Sequence, residues 1–335
     1  MNERISKARS DRDSIVSSIY NQVALLEMIG GKENYQKATD LHKNLVKSDT
    51  TNFQVVLSYA VYADKQNVLE EAERYFEIAA RHCSADDLES QLKLHRCMGA
   101  YYHKCRKYDE AYRHLILATQ YYENLQGNNT DVYFPTFLEL KIYEGVVLRC
   151  LGKLNESRDA YLGALERVEP YYAKDTATYY ENKSMLHINL GNVYYNLEQL
   201  EQARAQYQNA VDVLQHSRSN AFKDLRIMAG AQLNTAILFH QLDQSAQALT
   251  MLDTVDLTVQ KASKINPAAM VGFAENVVIS RIEILIEMDR QDEARSLLTD
   301  LMKQMESTAK EYPMVLDRDI EQAKKLAAKL GLSVQ

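Results

Sequence analysis

One spacing pattern, within residues 184–217, constrains the fold of this chain more than any other feature. Three residues recur at the i, i+4 and i+7 spacing of a single helix face: Leu190, Tyr194 and Leu197. Gly191 lies beside that face, and a residue without a side chain lets a second helix approach closely. After a short polar turn come two small residues for the other side of that contact, Ala203 and Ala210. The stretch therefore predicts two helices packed as a hairpin.

The same stretch resembles the tetratricopeptide repeat, a helix–turn–helix unit of about 34 residues. Leu190, Gly191 and Tyr194 fall where that family has Leu-Gly-x-x-Tyr. The small, aromatic and small positions of its second helix correspond to Ala203, Tyr207 and Ala210. His187 occupies the first position, which is often Trp in the family. The resemblance covers nearly the whole chain and implies an all-α, right-handed superhelical solenoid of stacked hairpins.

The small residue that opens the contact face of each second helix can be followed along the chain. It falls at seven positions: Ala38, Ala72, Ala111, Ser157, Ala203, Ala248 and Ala294. The intervals between them are 34, 39, 46, 46, 45 and 46 residues. The later intervals exceed the family unit by about three helical turns. An extension by whole turns keeps the same face of the helix pointing inward. We therefore predict longer helices in the later hairpins rather than inserted loops, similar in style to kinesin light chains and bacterial peptide-sensing regulators.

These positions predict one domain over residues 1–335, built from seven hairpins and a capping helix. The hairpins are expected at about 13–48, 53–84, 90–125, 134–170, 175–217, 220–264 and 267–311. The expected starts of the fourth and seventh hairpins are marked by Pro135 and Pro267, since proline favours the first turn of a helix. The capping helix, at about 315–330, would end at Gly331 and seal the last repeat.

Composition disfavours several other classes of protein. With only 11 glycines and 4 prolines, the chain lacks the tight turns of a β-rich fold. Its net charge of −7 disfavours broad nucleic-acid binding, and no apolar run is long enough for a membrane span. The four cysteines show no disulfide framework, and the charged N-terminus lacks the apolar core of a signal peptide. A cytoplasmic location is therefore predicted.

The resemblance also implies where a ligand would bind, because the first helix of each hairpin lines a concave groove in this family. The candidate peptide-binding residues are Asn189, Asn192, Tyr195, Asn234, His240, Tyr143, Arg149 and Lys104. Asn189 and Asn234 share one position in successive repeats. An amide both donates and accepts hydrogen bonds, so it can hold a peptide backbone without reading side chains. The alternative is that these asparagines cap neighbouring helices or face water.

No motif predicts catalysis, a metal or a cofactor. A Gly-rich phosphate loop, Gly-x-Ser-x-Gly and His-Glu-x-x-His are all absent from the sequence. His95 and Cys97, like His103 and Cys105, are two residues apart, which places each pair on nearly opposite sides of a helix. Capture of a chaperone's C-terminal carboxylate is also disfavoured. Apolar residues occupy the positions where its lysine or arginine would be expected: Ile142, Ile188 and Leu233.

The sequence thus predicts a non-catalytic scaffold or adaptor that binds a peptide or protein segment in its groove, without nucleic acid or membrane partners. Two alternatives stay open. One is a regulatory receptor for a short signalling peptide, and the other is a structural subunit that uses its convex face. An enzyme would require His95, His103 and Cys105 to cluster. The oligomeric state is not determined by the sequence.

Overall fold

The structure is a computed structural model that describes residues 17–19, 21–26, 32–125, 130–172, 177–217, 221–311 and 317–332. Within these ranges every regular element is a helix, so the predicted all-α class is confirmed. The chain divides into two compact units, Met1–Val147 and Leu148–Gln335. The assignment of all hairpins to a single domain stays a prediction.

In the first unit, residues 17–19 and 21–26 are helical. The longer helices that follow are α1 Lys32–Ser48, α2 Phe53–Lys65, α3 Leu69–His82, α4 Leu88–Lys104, α5 Tyr108–Leu125 and α6 Thr130–Cys150, whose last three residues belong to the second unit. The second unit continues with α7 Leu154–Tyr172, α8 Ala177–Asn196, α9 Leu200–His216, α10 Phe222–Gln241, α11 Ser245–Ile265, a 3-10 turn Ala268–Met270, α12 Phe273–Glu287, α13 Gln291–Glu311 and α14 Asp317–Lys329.

Consecutive helices pack as hairpins. In the first unit α2 packs on α3 and α4 on α5, and in the second unit α8 packs on α9, α10 on α11 and α12 on α13. The first helices of successive hairpins also touch, since α2 contacts α4, α8 contacts α10 and α10 contacts α12. Each unit therefore presents a surface built from first helices.

Local sequence explains where several helices begin. The side chain of Asn52 accepts hydrogen bonds from the N–H groups of Gln54 and Val55, at 3.0 and 3.3 Å, and so caps α2. Asp87 accepts from the N–H of Ser90 at 3.1 Å and caps α4. These side chains satisfy backbone donors that the first helical turn leaves without partners.

Six hairpin turns share one backbone form. Each turn contains one residue with a positive φ, between 59° and 76°. In chain order these residues are Asn67, Arg106, Gly152, Glu198, Asp243 and Asp289. The next residue donates its N–H to a carbonyl five residues back, as Gln199 does to Tyr194 at 2.9 Å. The six turns lie 39, 46, 46, 45 and 46 residues apart. These five intervals equal the last five of the six predicted ones, so those repeat lengths are confirmed.

The predicted small residues all lie in the interior of the structure. All seven, from Ala38 to Ala294, are fully buried, with 0% of their surface exposed. The prediction of longer helices in the later hairpins is also confirmed. Helices α2 and α3 have 13 and 14 residues, whereas α8 to α11 have between 17 and 21. The extra length is helical rather than looped.

The close approach at Gly191 is confirmed, and the atoms nearest to it belong to a large side chain. A Cβ atom built at Gly191 would lie 2.5 Å from the ring of Tyr207. The equivalent residue of the third hairpin, Gly99, would place its Cβ 2.8 Å from the side chain of Leu115. In both hairpins the glycine makes room for a large side chain from the second helix.

Two predicted helix starts are wrong. Helix α6 begins at Thr130, so Pro135 lies inside it rather than at its start. Pro267 precedes a 3-10 turn, and α12 begins only at Phe273, where the Glu275 carboxylate accepts from the N–H of Gly272 at 2.6 Å. The residue before the helix, Gly272, has a φ of 82°, a conformation that suits glycine.

The capping helix has the expected character. Helix α14 packs against both α12 and α13, and its apolar side buries three of the predicted residues: Ala323, Ala327 and Leu330. Gly331 follows with a φ of 69°, which ends the helix as predicted. Within the described residues no helix is both long enough and apolar enough to cross a membrane.

Candidate functional site

Five of the eight candidate binding residues lie on the surface formed by α8, α10 and α12. We call this surface the first-helix face of the second unit. Its side chains are Asn189, Asn192, Tyr195, Asn234, Ile237, His240, Ser280, Glu283 and Glu287. Arg149 belongs to the same unit, whereas Lys104 and Tyr143 belong to the first unit.

Asn192 is the centre of a hydrogen-bond network across two repeats. The Tyr207 hydroxyl, from α9, donates to Asn192 Oδ1 at 2.8 Å. Asn234 Nδ2, from α10, donates to the same oxygen at 3.0 Å. Within the described residues, Asn192 Nδ2 and Asn234 Oδ1 make no further hydrogen bond. One amide therefore keeps its donor free and the other its acceptor, on adjacent first helices.

Tyr207 is fixed in place by burial. Only 2% of its surface is exposed, and its ring occupies the space that Gly191 leaves open. Burial raises the pKa of its hydroxyl, Tyr195 adds to the rise, and the Arg149 guanidinium opposes it. The hydroxyl thus stays protonated and remains a donor to Asn192 at neutral pH.

Arg149 is half-buried near the end of α6. Its guanidinium makes no hydrogen bond or ion pair with any residue that the structure describes, and its charge acts on Tyr207. Most of the described arginines of this unit, by contrast, form ion pairs. Arg281, for example, pairs with Asp253 and Asp256 at 2.9 and 2.7 Å. Arg149 therefore offers a cation that no described carboxylate neutralises.

Asn189 and Tyr195 use part of their bonding capacity inside the unit. Asn189 Nδ2 donates to the carbonyl of Met185 in its own helix at 2.9 Å. Tyr195 donates its hydroxyl to Gln241 Oε1 at 2.5 Å, which links α8 to α10. Although Asn189 and Asn234 share a repeat position, only Asn234 bonds to the neighbouring repeat. Their roles in binding stay predictions.

His240 joins three helices. Its Nδ1 lies 2.9 Å from the hydroxyl of Ser245 on α11, and its Nε2 lies 2.9 Å from Glu287 Oε2 on α12. Serine, histidine and glutamate are the residue types of a hydrolytic triad. Ser245, however, is not part of the wall of the cavity beside His240, which is described next. The bond to Ser245 therefore lies within one hairpin, and the bond to Glu287 joins that hairpin to the next.

A cavity of about 330 Å³ lies beside His240, between α10, α12 and α14. Its wall contains Ile237, His240, Ser280, Glu283, Ile284, Ile286, Glu287, Leu326 and Lys329. The capping helix thus adds Leu326 and Lys329 to a cavity whose other walls are first helices. The sequence predicted His240 as a candidate residue but not the contribution of α14, since that helix was expected only to seal the last repeat.

In the first unit, the candidate residues are engaged in internal contacts. The Lys104 ammonium lies 3.1 Å from Asp64 Oδ1 and also donates to the Asp64 carbonyl. Arg96 Nη1 donates to both carboxylate oxygens of Glu139, each at 2.6 Å. Burial first, and then the Glu139 carboxylate, raise the pKa of Tyr143. The polar groups here stabilise the unit instead of facing solvent unpaired.

A histidine pair in the first unit was not predicted. His95 Nδ1 lies 2.7 Å from His114 Nδ1, with Tyr121 stacked on His95 and Tyr102 on His114. The second unit has a counterpart in His187 and Gln206, which bond at 2.8 Å over the same separation of 19 residues. That shared separation is the signal that could have revealed the pair. The described residues hold no group of three or more metal-ligating side chains.

No family model and no curated protein sequence matches the chain. Its structure is similar to a tetratricopeptide repeat protein from Parabacteroides merdae, with a TM-score of 0.55 and 11% identity over 95% of this chain and 98% of that one. A Rap protein complexed with competence and sporulation factor has a TM-score of 0.53 and 11% identity, over 94% of this chain and 85% of that one.

A third similar structure is a signal-transduction ATPase with a tetratricopeptide repeat sensor from Pyrococcus horikoshii. Its TM-score is 0.57 at 12% identity, covering 88% of this chain and 41% of that one. Likeness at these identities concerns the fold, and it agrees with the repeat lengths, buried small residues and glycine contacts described above. The chain therefore has the fold of the tetratricopeptide-repeat proteins.

Proposed function

We propose that this chain is a non-catalytic scaffold that binds an extended peptide or protein segment on the first-helix face of its second unit. The observation that carries the proposal is the Tyr207–Asn192–Asn234 network. It leaves an amide donor on α8 and an amide acceptor on α10. The backbone of an extended peptide presents the complementary carbonyl and N–H groups.

The network is also preorganised for binding. Tyr207 is buried and holds Asn192 by its hydroxyl, and Asn192 in turn holds Asn234. Side chains already fixed before association lose little conformational freedom when a ligand arrives, so more of the contact energy appears as affinity. Because both amides would contact backbone, the scaffold would tolerate variation in its ligand's side chains.

The other candidate residues of the second unit would contact the ligand's side chains. Arg149 would attract an acidic group, while Tyr195 and His240 would supply surface for packing. Asn189 keeps its carbonyl oxygen for a further contact. Lys104 and Tyr143 lie in the first unit and are not part of the proposed binding surface. The Lys104 ammonium is held by Asp64.

The fold is compatible with such a role. The Rap protein similar in fold to this chain was solved in complex with competence and sporulation factor. That complex keeps open the second hypothesis, a regulatory receptor for a signalling peptide. The described cysteines are free thiols, which supports the proposed cytoplasmic location.

The proposal can be tested by peptide selection. A library of random peptides would be selected on the wild-type chain, and the affinity of recovered peptides would be measured by fluorescence anisotropy. Replacing both Asn192 and Asn234 by Ala should weaken binding about ten-fold or more, since each lost hydrogen bond contributes about 1 kcal/mol. Recovered peptides should share little side-chain sequence at the positions that face the two amides.

Two further variants locate the interface. Asn189→Ala should weaken binding less than the double variant, because its amide nitrogen already donates within its own helix and only its oxygen is left for the ligand. Glu201→Ala, on α9 with 78% of its side chain exposed, should change nothing. Equal affinity for wild type and the double variant, with an unchanged helical circular-dichroism spectrum, would refute the proposal.

One observation favours a third hypothesis, a structural subunit whose second helices make the contacts. Leu257 and Ile265 on α11 are 60% and 55% exposed, although both are large and apolar. Leu257→Ser with Ile265→Ser should abolish such an interaction while leaving peptide binding unchanged. The two interfaces can therefore be separated by variants.

A further inference from the structure

The cavity between α10, α12 and α14 combines apolar side chains with two glutamates that form no ion pair with a described lysine or arginine. Its volume of about 330 Å³ is within the range of small-ligand sites. Four aliphatic side chains form the apolar part of the wall: Ile237, Ile284, Ile286 and Leu326. Glu283 and Glu287 lie on the same helix and also line the cavity, and 69% of the Glu287 side chain is exposed.

Neither carboxylate is neutralised by a lysine or arginine. Glu283 Oε1 accepts from the Gln322 amide at 2.9 Å, and Glu287 Oε2 lies 2.9 Å from the His240 ring. Within the described residues, no ion pair to Lys or Arg involves either carboxylate. Nearby on α13, by contrast, Glu293 pairs with Arg290 at 2.6 Å. The carboxylates of the cavity wall thus differ from that of Glu293 in forming no ion pair with a described lysine or arginine.

Lys329 is the only lysine or arginine in the described cavity wall, and it forms no ion pair with a described carboxylate. Two carboxylates and one ammonium leave the wall with net negative charge when His240 is neutral. A ligand that suits this wall has an aliphatic stem for the isoleucines and leucine and a cationic head for the carboxylates. Arginine and lysine side chains have that form.

We propose that this cavity binds the basic side chain, arginine above all, of the segment held on the first-helix face. A planar guanidinium can donate to both carboxylates at once, which an ammonium does less well. Ile237 and His240 are the next residues along α10 on the side of Asn234, so a segment bound at Asn234 can reach the cavity. This inference rests on the proposed function only in assigning the arginine to the bound segment. The cavity's preference for a cation does not depend on the proposed function.

The test uses small probes and the full chain. Nα-acetyl-argininamide, Nα-acetyl-norleucinamide and Nα-acetyl-glutamate amide would be titrated against protein labelled with ¹³C in the isoleucine methyl groups. We expect saturable shifts at Ile237 and Ile284 with the arginine probe, and affinity about ten-fold weaker for the norleucine probe. Equal binding of the norleucine probe, tighter binding of the glutamate probe, or no saturable shift with arginine would each overturn the proposal.

Charge variants sharpen the test. Glu283→Gln and Glu287→Gln retain an acceptor oxygen for Gln322 and for His240 but remove the charge, so each should weaken the arginine probe about five-fold. Lys329→Met should strengthen it, and a gain in affinity cannot arise from misfolding. Glu201→Gln, on α9, makes the same change in net charge and should have no effect. Unchanged affinity in both glutamate variants would contradict the proposal.

The outcome is independent of the peptide-binding experiment. Asn192→Ala with Asn234→Ala should leave the affinity for the arginine probe unchanged, because neither amide lines the cavity. Loss of peptide binding with retained probe binding would support both inferences. Probe binding without any selected peptide would support the cavity alone.

Discussion

The third and fifth hairpins share one packing motif but use it differently. Gly99 faces Leu115 in the third hairpin, and Gly191 faces Tyr207 in the fifth, with the same separation of 16 residues. The residue after each glycine differs as well, since Ala100 in α4 corresponds to Asn192 in α8. In the third hairpin the large side chain opposite the glycine is apolar. In the fifth it ends in a hydroxyl that holds an amide on the first-helix face.

This difference shows how a packing position can also fix a polar side chain on the surface. The glycine contact needs only a large side chain opposite it, and both leucine and tyrosine meet that need. Tyrosine adds a polar end, which is satisfied by Asn192 instead of remaining buried without a partner. The same contrast extends to charge. Lys104 and Arg96 of the first unit are paired, whereas Arg149 of the second has no described partner.

The largest expected effect is at the glycine contacts. Gly191→Ala should lower the free energy of unfolding by about 2–3 kcal/mol, because a Cβ 2.5 Å from a buried ring forces that ring to move. Gly99→Ala should cost less, since Leu115 can adopt another rotamer more readily than Tyr207. Urea unfolding followed by circular dichroism measures both.

Gly230→Ala is the matched control for these substitutions. Gly230 lies inside α10, where a Cβ would have no neighbour within 4 Å. Removing a glycine from a helix interior should stabilise the chain by up to about 1 kcal/mol. If Gly191→Ala were as benign as Gly230→Ala, the account of the Tyr207 contact would be wrong.

Acid should affect the third hairpin more than the fifth. Burial first, and then the neighbouring His114, lower the pKa of His95 to about 4. For His187, burial lowers the pKa but the Gln206 amide opposes the change. A histidine whose pKa is depressed on folding takes up protons preferentially in the unfolded state. Its stabilising contribution is therefore complete above pH 6.5 and lost as pH falls towards 4.

A single substitution should give the third hairpin the weaker acid response of the fifth. His114→Gln gives the third hairpin the histidine–glutamine pair of the fifth. We expect the urea midpoint of wild type to fall more between pH 7 and pH 5 than that of the variant. Identical falls would show that the histidine pair contributes nothing to acid sensitivity.

Removal of the Tyr207 hydroxyl should have a smaller effect. Tyr207→Phe keeps the ring against Gly191 but removes the donor to Asn192, which should cost about 1 kcal/mol of stability. It should also weaken selected peptides, because Asn192 is then held only by Asn234. Tyr195→Phe, whose hydroxyl bond to Gln241 is exposed, is the control and should cost less in the same unfolding assay.

The smallest effect is expected at the hairpin turns. Glu198 adopts a φ of 60°, whereas the equivalent residue of the previous turn is Gly152. Glu198→Gly should therefore stabilise the chain by up to about 1 kcal/mol, and Gly152→Ala should destabilise it by a similar amount. Thermal unfolding of the two variants should move in opposite directions. Movement in the same direction would contradict the shared turn geometry.

The repeat lengths were predictable because they rest on local sterics. Each hairpin needs one small residue where its helices touch, and all seven such positions, from Ala38 to Ala294, proved fully buried. The start of α6 was not predicted, since Pro135 is tolerated inside that helix. The extra helical length of the later hairpins followed from the intervals alone.

The bonding of the site could not be predicted in the same way. Tyr207 was assigned to packing, and nothing in its spacing shows that its hydroxyl reaches Asn192. The contact of Lys104 with Asp64 joins residues 40 positions apart in different hairpins. Such contacts depend on the rotation of each helix about its axis, which the repeat pattern fixes only approximately.

The most direct test of the central claim is a double-mutant cycle between Asn234 and the backbone of a selected peptide. Each backbone N–H of the peptide would be replaced in turn by an ester oxygen, and affinities would be measured for wild type and Asn234→Ala. The account predicts that one ester costs about 1 kcal/mol in wild type and almost nothing in the variant. Equal losses in both proteins for every ester would contradict backbone recognition by the Asn192–Asn234 pair.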